Sequence, residues 1–181
     1  MTAAGFAWRR LPTVDETTQR ALAGVLIDCV AGGASVGFMH PLSAERARAF
    51  WRGVADGVAR GERALLIAED AAGPCGTVQL VLAQPENQPH RADLAKMLVH
   101  RRARRQGLGA ALLRAAEAVA RAEGRTLLVL DTIDGSDAER LYRRLGWQSC
   151  GRIPDYALMP HGGLAATHVF YKRLAPEAGP A

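Results

Sequence analysis

The sequence predicts an α/β (α+β) domain in which four helices pack on a mixed, mostly antiparallel sheet of six or seven strands. Three features predict this class. Apolar residues recur with helical spacing in the first sixty positions, apolar or alternating runs separated by turn residues follow from residue 63, and one strand–helix–strand unit lies in the middle of the pattern. Such a unit makes its two strands parallel neighbours in an otherwise antiparallel sheet.

One strand and two helices are predicted at the start of the chain. Phe6–Leu11 forms a short first strand, and Thr13 with Glu16 gives the capping-box signature of a helix. This first helix ends at the glycine pair Gly32–Gly33. The second helix begins at Ser43, whose hydroxyl can accept a hydrogen bond from the first turn.

Six further strands are predicted after residue 63. The runs ALLIAED, CGTVQLVLAQ and ADLAKMLVH are separated by turn residues, which indicates consecutive antiparallel strands. TLLVLDT is apolar almost throughout, as is typical of a strand buried on both sides of a sheet. Two more strands, around Trp147–Arg152 and Thr167–Leu174, complete the pattern.

The two remaining helices lie between these later strands. One follows Gly109, and the short segment GSDAERLYRRLG has Ser136 and Glu139 as a capping box and Gly146 where a left-handed residue ends a helix. No internal repeat and no linker divides the chain. We therefore predict a single domain over residues 1–174, with APEAGPA (175–181) as a frayed tail.

Composition excludes several classes of protein. The chain has 181 residues, 49% hydrophobic and 23% charged, which is an ordinary soluble composition. Its longest run without polar residues or glycine, Ala64–Ala68, is far shorter than the roughly 20 residues that cross a bilayer, so no membrane association is expected. The three cysteines form no CxxC pair and the five histidines show no metal-ligand spacing. We predict a cytoplasmic protein without a metal site or a disulfide framework.

The net charge of +5 is concentrated in one place. Four arginines, Arg101, Arg102, Arg104 and Arg105, lie within five positions. Aromatic residues are few and form no ladder with basic residues on which bases could stack, so no nucleic-acid partner is predicted. A small molecule that carries phosphate explains the basic cluster equally well.

The segment RRQGLGAA begins at Arg104 and follows an apolar run that is predicted to be a strand. The chain therefore passes from a strand through a basic loop and a tight glycine turn into a helix, which is the order that an anion-binding site requires. The first N–H groups of a helix have no internal acceptors, and glycines let a phosphate approach them. The turn lacks the G-x-x-x-x-G-K-[ST] pattern of a P-loop and the third glycine of a Rossmann turn.

Two motifs resemble those of the Gcn5-related N-acetyltransferase (GNAT) family. LAKMLVHRRARRQGLGAALL resembles the acetyl-CoA signature of that family, whose loop R/Q-x-x-G-x-G/A is occupied here by Arg104–Ala110. LYRRLGW is similar to the second family signature, L-Y-x-x-x-G-F. The order of predicted elements also resembles the GNAT fold over nearly the whole chain.

The resemblance implies that acetyl-CoA binds along this strand and turn. It implies that the pyrophosphate lies on the first N–H groups of the helix, that the pantetheine arm pairs with the strand edge, and that an arginine of the 101–105 cluster meets the 3′-phosphate, without indicating which. Ser136 lies near a position where many family members bind pantetheine through Asn, although a helix cap also explains this serine. The predicted cofactor-binding residues are Met97, Leu98, Val99, Arg104, Arg105, Gln106, Gly107, Leu108, Gly109, Ala110 and Ser136.

Three residues are predicted to carry the chemistry. Acetyl transfer to an amine requires a neutral amine, a stabilised oxyanion and a protonated leaving thiolate. Asp131 ends one strand of the crossover and Asp93 begins the other, so we expect both carboxylates to converge where the strands part, with either as the base. The resemblance implies that Tyr142 protonates the thiolate and that backbone N–H groups of Met97–Val99 hold the oxyanion.

The acceptor pocket is predicted from loops that the cofactor does not require. The flexible, half-apolar loop Gly33–Met39, the segment IPDYALMPHGG and the strand at Gln79 are the expected walls. The predicted substrate-binding residues are Ser35, Phe38, Met39, Gln79, Asp155 and Tyr156.

The resulting hypothesis is an acetyl-CoA-dependent N-acetyltransferase that acts on a primary amine of a small molecule, such as a toxin or an antibiotic. Direct transfer in a ternary complex is expected, because no nucleophile motif is present. A protein N-terminus or lysine is the alternative acceptor, and a non-catalytic domain that binds CoA or nucleic acid is the second alternative. A pocket enclosed by Gly33–Met39 would favour a small molecule. The family resemblance also implies a homodimer, for which no residue marks an interface.

Overall fold

A single sheet of eight strands organises the computed structural model, which describes residues 2–3 and 6–175. The strands are β1 (Thr2–Ala3), β2 (Phe6–Leu11), β3 (Arg63–Asp70), β4 (Gly73–Val81), β5 (Arg91–Val99), β6 (Leu127–Ile133), β7 (Gln148–Leu158) and β8 (Leu164–Arg173). The helices are α1 (Glu16–Ala31), α2 (Ala44–Ala59), α3 (Leu108–Ala122) and α4 (Asp137–Arg144), with a 3-10 turn at Arg101–Ala103.

The predicted order of elements and the α/β class are confirmed. The sheet has the strand order β1-β2-β3-β4-β5-β6-β8-β7, and β5 and β6 are parallel as the crossover requires. The two-residue β1, which pairs with β2, is an addition to the seven predicted strands. Apart from Ala175, the predicted tail lies outside the described residues. In the described part of the chain, no helix combines the length and apolar character needed to cross a membrane.

The predicted cap of α1 is wrong, whereas those of α2 and α4 are confirmed. The Asp15 carboxylate accepts a hydrogen bond from the Thr18 N–H at 2.7 Å, and α1 begins at Glu16. A carboxylate directly before the first turn therefore takes the place of Thr13. Ser43 and Ser136 cap α2 and α4 as expected.

Two strands also differ from their predictions. Only one face of β6 is buried, through Leu128 and Leu130, because no helix covers its other face; Asp131 is exposed there. The β7–β8 hairpin continues to Leu158 and Leu164, so most of the segment predicted as a pocket loop is strand. β7 is an edge strand and is exposed along almost all of its length.

Helices cover the two faces of the sheet unequally. On one face α3 and α4 pack in a core that includes Leu112 and Phe170. On the other face α1 and α2 pack on β3, β4 and β5 around Leu26, Trp51 and Leu65. The part of this second face that β6, β8 and β7 form is not covered by α1 or α2.

The parallel strands β5 and β6 separate soon after they meet. They pair only from Arg91–Asp93 to Leu127–Val129. Beyond that point the register of β5 with β4 shifts between Thr77 and Gln79, which places a bulge around Lys96. Lys96 has a φ of 49°, in the left-handed region. The separation opens the middle of the sheet.

Truncation of Trp51 tests the core beneath this opening. Trp51 is fully buried, so Trp51→Ala is expected to lower the free energy of unfolding by about 3–5 kcal/mol. Denaturant unfolding followed by circular dichroism measures this change. Arg48→Ala, at an exposed position of the same helix, is the control and should change it by less than about 0.5 kcal/mol. Equal losses in the two variants would contradict the assigned packing.

Candidate active site

A cavity of about 1030 Å³ lies where β5 and β6 separate. One end is formed by the first turn of α3 and the loop before it. The other end is formed by the loop Gly32–Gly37 and by Tyr156, Ala157 and Met159 of the β7–β8 hairpin. Asp131 and Tyr142 line the cavity between these ends. The space therefore joins an anion-binding turn to a candidate acceptor pocket through titratable groups.

The loop before α3 presents a series of unpaired N–H groups. Within the described chain, the N–H groups of residues 105–110 have no backbone acceptor. Arg105 and Gly107 are left-handed, with φ of 59° and 80°, so the backbone curls around the start of the helix. Alternation of this kind makes a concave nest of N–H groups, which together with the helix dipole favours an anion.

The two glycines of the turn serve different purposes. Gly107 is the N-cap of α3 and supplies its left-handed conformation without steric cost. Gly109 is needed for space, because a Cβ there would lie 3.1 Å from Leu141 Cδ2. A side chain at residue 109 would therefore force Leu141 of α4 to shift away from the start of α3.

The four clustered arginines are divided between the fold and the cavity. Arg101 pairs with Asp28, and Arg102 pairs with Asp70 at 2.8 Å. The Arg102 guanidinium beside Asp70 lowers the pKa of that carboxyl. Arg104 and Arg105 line the cavity. The first two arginines thus anchor the loop, and the other two face the ligand space.

Arg104 and Arg105 differ in their contacts. Arg104 Nε donates to the Val99 carbonyl at 3.0 Å, which ties the loop to the end of β5. Arg105 has no side-chain hydrogen bond or ion pair to any residue that the structure describes. From α4, Arg140 and Arg144 also reach the cavity, and Arg140 pairs with Asp137. Arg105 and Arg144 are therefore the guanidinium groups left for a phosphate.

The predicted strand edge lines the cavity through Met97, Leu98 and Val99. After Asp93, β5 has no strand partner on the side of β6. The Val99 carbonyl already accepts hydrogen bonds from Arg104 and from Cys29 Sγ, the latter at 3.5 Å. Free peptide groups for an extended ligand are therefore those nearer the bulge.

Asp131 is the carboxylate that the structure brings to the centre of the cavity. It lies at the exposed end of β6, where the strand has already parted from β5. Its Oδ2 accepts a hydrogen bond from Thr167 Oγ1 at 3.2 Å. The same hydroxyl donates to the Thr132 carbonyl at the shorter distance of 2.8 Å, so its single proton is shared and Asp131 keeps acceptor capacity for a ligand.

Asp93 does not line the cavity, so of the two predicted carboxylates the structure brings Asp131 to it. Asp93 lies opposite Val129, in the segment where the strands are still paired, and it does not line the cavity. Its Oδ2 accepts from Gln84 Nε2 at 3.2 Å and lies 3.4 Å from an Arg91 nitrogen. The register of the crossover therefore places Asp93 before the opening and Asp131 beyond its edge.

Tyr142 is held rigidly with its hydroxyl at the cavity. Its side chain is only 5% exposed, and its ring packs against Trp147 and Phe170 at centroid distances of 5.7 and 6.2 Å. Its hydroxyl makes no hydrogen bond to the described residues. Burial raises the pKa of Tyr142, and the nearby charge of Asp131 raises it further. The phenol therefore stays protonated at neutral pH and can donate its proton.

The remaining predicted residues divide into two groups. Ser35, Ser136 and Tyr156 line the cavity, and Ser136 also accepts from the Glu139 N–H at 3.0 Å as a helix cap. Gly107, Leu108, Gly109 and Ala110 line it as well. Those that do not line it are Gln106, Phe38, Met39, Gln79 and Asp155.

Each residue that misses the cavity has a local reason. Phe38 packs edge-on against Phe50 at 5.3 Å, and Met39 follows it on the outside, 39% exposed. Gln79 is fully buried and Asp155 occupies a left-handed position in the irregular part of β7. Gln106 Nε2 donates to the Arg102 carbonyl at 3.1 Å.

Sequence reasoning missed Lys96. This residue lines the cavity from the β5 bulge, and its Nζ lies 5.6 Å from the centroid of the Phe50 ring. Burial lowers the pKa of the Lys96 ammonium. One signal was available: of the 23 basic residues, only Lys96 and Lys172 are lysines.

Hydrogen bonds join the walls at the acceptor end of the cavity. The His40 N–H donates to the Pro160 carbonyl at 2.9 Å, and His161 Nε2 lies 3.2 Å from the Ala31 carbonyl. The His40 and His161 rings are in contact, with centroids 4.6 Å apart. The loop after α1 is therefore tied to the turn of the β7–β8 hairpin.

One group of metal-type ligands lies outside this cavity. Asp134, Glu139 and His168 bring ligand atoms within 4.8 Å of one another. Arg152 pairs with Asp134 at 2.6 Å and Arg143 with Glu139 at 2.8 Å. Arginines already neutralise both carboxylates, and the absence of a metal site stays a prediction.

The site combines a helix N-terminus that can bind phosphate with a carboxylate and a protonated phenol in the gap between β5 and β6. This combination is suited to group transfer from a donor that carries phosphate. Residues 61–149 match the family model of the acetyltransferase (GNAT) domain. The matched segment is close to half of the chain and contains the α3 turn, Asp131 and Tyr142. The protein is an enzyme of the acyltransferase class.

Solved structures share the same fold over nearly the whole chain. An N-acetyltransferase from Staphylococcus aureus Mu50 has a TM-score of 0.77 at 15% identity, covering 94% of this chain and 99% of its own. The Salmonella typhimurium protein yncA, solved with its cofactor acetyl-CoA, has a TM-score of 0.76 at 17% identity, covering 98% of both chains. Ribosomal-protein-alanine N-acetyltransferase from Brucella melitensis has a TM-score of 0.76 at 22% identity, covering 93% and 99%.

Ultraviolet titration tests the environment of Tyr142. The phenolate absorbance of Tyr142 is the difference between wild type and Tyr142→Phe. At pH 10, where an ordinary tyrosine is about half ionised, we expect this difference to show almost no phenolate because burial raises the pKa. Asp131→Asn removes the second cause and should allow ionisation at lower pH. A half-ionised Tyr142 at pH 10 would contradict the assignment.

The raised pKa of Tyr142 also makes the free energy of unfolding depend on pH. The unfolded chain releases this proton near pH 10, whereas the folded chain retains it to higher pH. The stabilisation is therefore complete below about pH 10 and is lost as pH rises through the folded pKa, by up to about 1.4 kcal/mol per pH unit. Tyr142→Phe should lack this contribution to the pH dependence.

Proposed function

We propose that the protein transfers the acetyl group of acetyl-CoA directly to a primary amine of a small molecule, such as a toxin or an antibiotic. The observation that carries this proposal is the continuous cavity from the N–H groups of the α3 turn, past Asp131 and Tyr142, to an acceptor end whose walls are hydrogen-bonded together. The neighbouring yncA structure contains acetyl-CoA, which supports the choice of donor.

The residues of the turn fit the phosphates of coenzyme A. Six successive N–H groups without acceptors, residues 105–110, match a pyrophosphate, which is itself rich in acceptor oxygens. Arg105 and Arg144 reach the same cavity with guanidinium groups that can pair with phosphate. The unpaired edge of β5 suits the amides of pantetheine. Ser136 is a weaker candidate for pantetheine because its oxygen already caps α4.

The side chains in the gap fit the proton transfers of amine acetylation. Bound acetyl-CoA would supply the thioester carbonyl as the electrophile. Asp131 would accept a proton from the acceptor ammonium, so that the neutral amine can attack. Tyr142, kept protonated by burial, would donate its proton to the leaving sulfur. Peptide N–H groups of β5 near Met97 would hold the carbonyl oxygen.

Direct attack of the amine on the thioester is favoured because the thiol that lines the cavity is a poor nucleophile. Cys29 is the cysteine that lines it. Burial raises the pKa of the Cys29 thiol, and its Sγ donates to the Val99 carbonyl. A neutral, hydrogen-bonded thiol is a weak nucleophile at neutral pH, which supports a ternary complex without an acetyl-cysteine stage.

A small acceptor is favoured by the closed end of the cavity. The hydrogen bond from the His40 N–H to the Pro160 carbonyl ties together the loop after α1 and the turn of the β7–β8 hairpin, which form the walls of this end. The sequence also resembles the tabtoxin resistance acetyltransferase in three stretches, including GGASVGFM at Gly32–Met39, six residues of which line the cavity (32–37). Both observations support a small molecule over a protein N-terminus.

A homodimer forms part of the proposal, and the edge of β7 is the surface that supports it. Four of the five large apolar residues exposed in the described chain lie on the β7–β8 hairpin: Ile153, Tyr156, Leu158 and Leu164. Pairing of an exposed edge strand with a second copy would cover this surface.

Substitution of Gly109 tests the donor site. Gly109→Val places a side chain against Leu141 and over the N–H groups of the turn, so the affinity for CoA should fall roughly tenfold to a hundredfold, as expected for loss of a charge-assisted hydrogen bond. Calorimetric titration with CoA measures it. Gly24→Ala, in a helix with open space around it, is the matched control. Unchanged affinity in Gly109→Val would place the phosphates elsewhere.

The two aspartates provide a matched test of the chemistry. Asp131→Asn should lower kcat by about 10²–10⁴-fold, the usual contribution of a positioned base, while CoA affinity stays within a factor of two. Asp93→Asn, outside the cavity, should keep kcat. Release of CoA thiol is followed with a panel of alkylamines and amino acids.

The outcomes separate the alternatives. A wild type that binds CoA but acetylates no small amine, and instead acetylates a peptide N-terminus, would overturn the small-molecule assignment. Equal loss of kcat in Asp93→Asn and Asp131→Asn would contradict the assignment of a single carboxylate.

A further inference from the structure

The acceptor end of the cavity contains a cation that acetyl transfer itself does not require. Lys96 lines this end, with Nζ 5.6 Å from the face of Phe50 and near Gly37, where a Cβ would lie 3.8 Å from it. Among the described residues, the hydrogen bonds and the ion pair that involve a lysine ammonium belong to Lys172. Apart from its contact with the Phe50 ring, the Lys96 ammonium makes no hydrogen bond or ion pair with any residue that the structure describes.

The backbone holds this ammonium in place at an energetic cost. Lys96 adopts a φ of 49° within the bulge, a conformation that favours glycine. The bulge directs its side chain to the face of the sheet covered by α1 and α2, where Phe50 and Gly37 lie. The bulge therefore directs the Lys96 side chain to the acceptor space. A regular strand would avoid the left-handed backbone conformation at this residue.

The charges around Lys96 leave a surplus of positive charge. Desolvation is the main cause that lowers the pKa of Lys96, and Arg63 lowers it further, whereas Asp131 raises it. Arg63 is itself hydrogen-bonded to an amide oxygen, Gln79 Oε1, at 3.1 Å and makes no ion pair within the described chain. Of these three groups, Lys96 and Asp131 line the cavity and Arg63 does not, so Lys96 is the cation that an anion in the cavity could reach.

A second donor near Lys96 lacks an acceptor. Gln79 lies opposite Ala95, the residue before Lys96, and its buried Nε2 has no hydrogen-bond partner. Its Oε1 accepts from Arg63, which fixes the orientation of the amide. Because Gln79 does not line the cavity, its amide holds Arg63 behind Lys96 and does not itself reach the ligand space.

Lys96 and Asp131 offer opposite charges in the same cavity. Both residues line it, and they do not form an ion pair within 4.0 Å. A ligand between them can therefore place its ammonium on the carboxylate and its own carboxylate on the ammonium. An amino acid carries both groups on one small skeleton.

We propose that Lys96 binds the carboxylate of the acceptor, and that the acceptor is therefore an amino acid or a closely similar small amine that carries a carboxylate. This inference rests on the proposed acetyl transfer and specifies its substrate class. Lys96 would hold one end of the acceptor while Asp131 receives the proton from the other. Arg63, behind Lys96, would add to the attraction.

Paired acceptors test the subsite directly. The probes are L-leucine, L-phenylalanine and L-methionine, each compared with its decarboxylated amine, and the readout is kcat/KM from release of CoA thiol. In the wild type at least one amino acid should exceed its amine by about tenfold or more, as expected for one hydrogen bond to a charged group. In Lys96→Met this ratio should fall toward one, chiefly through a higher KM for the amino acid.

Two further variants distinguish direct contact with the acceptor from a general effect of charge or position. Arg48→Met removes one positive charge from an exposed position of α2 and should keep the wild-type ratio. Lys96→Arg retains the charge and should recover part of the preference. If Lys96 only positioned Asp131, kcat would fall for both members of each pair and the ratio would not change, which would overturn the proposal.

A labelling experiment reports on Lys96 without turnover. Because the chain contains two lysines, trinitrobenzenesulfonate labelling followed by peptide mass spectrometry compares Lys96 with Lys172 as internal reference. Labelling is done with CoA present, and the amino acids above should protect Lys96 at least severalfold more than their decarboxylated amines do. Protection supports the subsite whether or not acetyl transfer is observed.

The outcomes distinguish this proposal from the proposed function. Rapid acetylation of amines without preference for a carboxylate, and without protection of Lys96, would overturn the subsite and leave the acetyltransferase intact. Loss of CoA binding and of all acetylation would overturn the proposed function. No selective protection and no preference in any pair would overturn the subsite.

Discussion

The incomplete pairing of β5 with β6 is the constraint on which the site depends. Three residues of each strand are joined, and the strands then diverge at the β5 bulge, whereas β6 stays paired with β8 along its whole length. A fully paired sheet would have no cavity and would leave Asp131 beside a closed ladder. The fold therefore gives up backbone hydrogen bonds in its centre, and the groups left unpaired are those available to an extended ligand.

The basic cluster shows how one charged segment can serve both stability and binding. Arg101 and Arg102 are consumed by Asp28 and Asp70, which fasten the loop to α1 and to the end of β3. Their charges are thereby balanced, and the positive field at the turn comes from Arg104, Arg105 and the helix N-terminus. A count of arginines in the sequence overstates the charge offered to a ligand by about a factor of two in this loop.

Local patterns could be predicted from the sequence, whereas register could not. The glycine turn, the caps of α2 and α4 and the crossover follow from neighbouring residues and are as predicted. Whether Asp93 or Asp131 reaches the cavity depends on where two distant strands stop pairing, which no local pattern encodes. Lys96 was missed for the same reason, because alternation assumes a regular strand and the bulge redirects its side chain.

The use of lysine at position 96 is informative in a chain that otherwise almost always uses arginine. A lysine ends in a compact ammonium on a flexible stem, whereas a guanidinium is broad, planar and needs several partners at once. The space available lies between the Phe50 ring and Gly37, a residue without a side chain. An ammonium there can turn between the aromatic face and an anion in the cavity. A compact ammonium therefore suits the space between Phe50 and Gly37, whereas Arg63 is held by Gln79 and does not line the cavity.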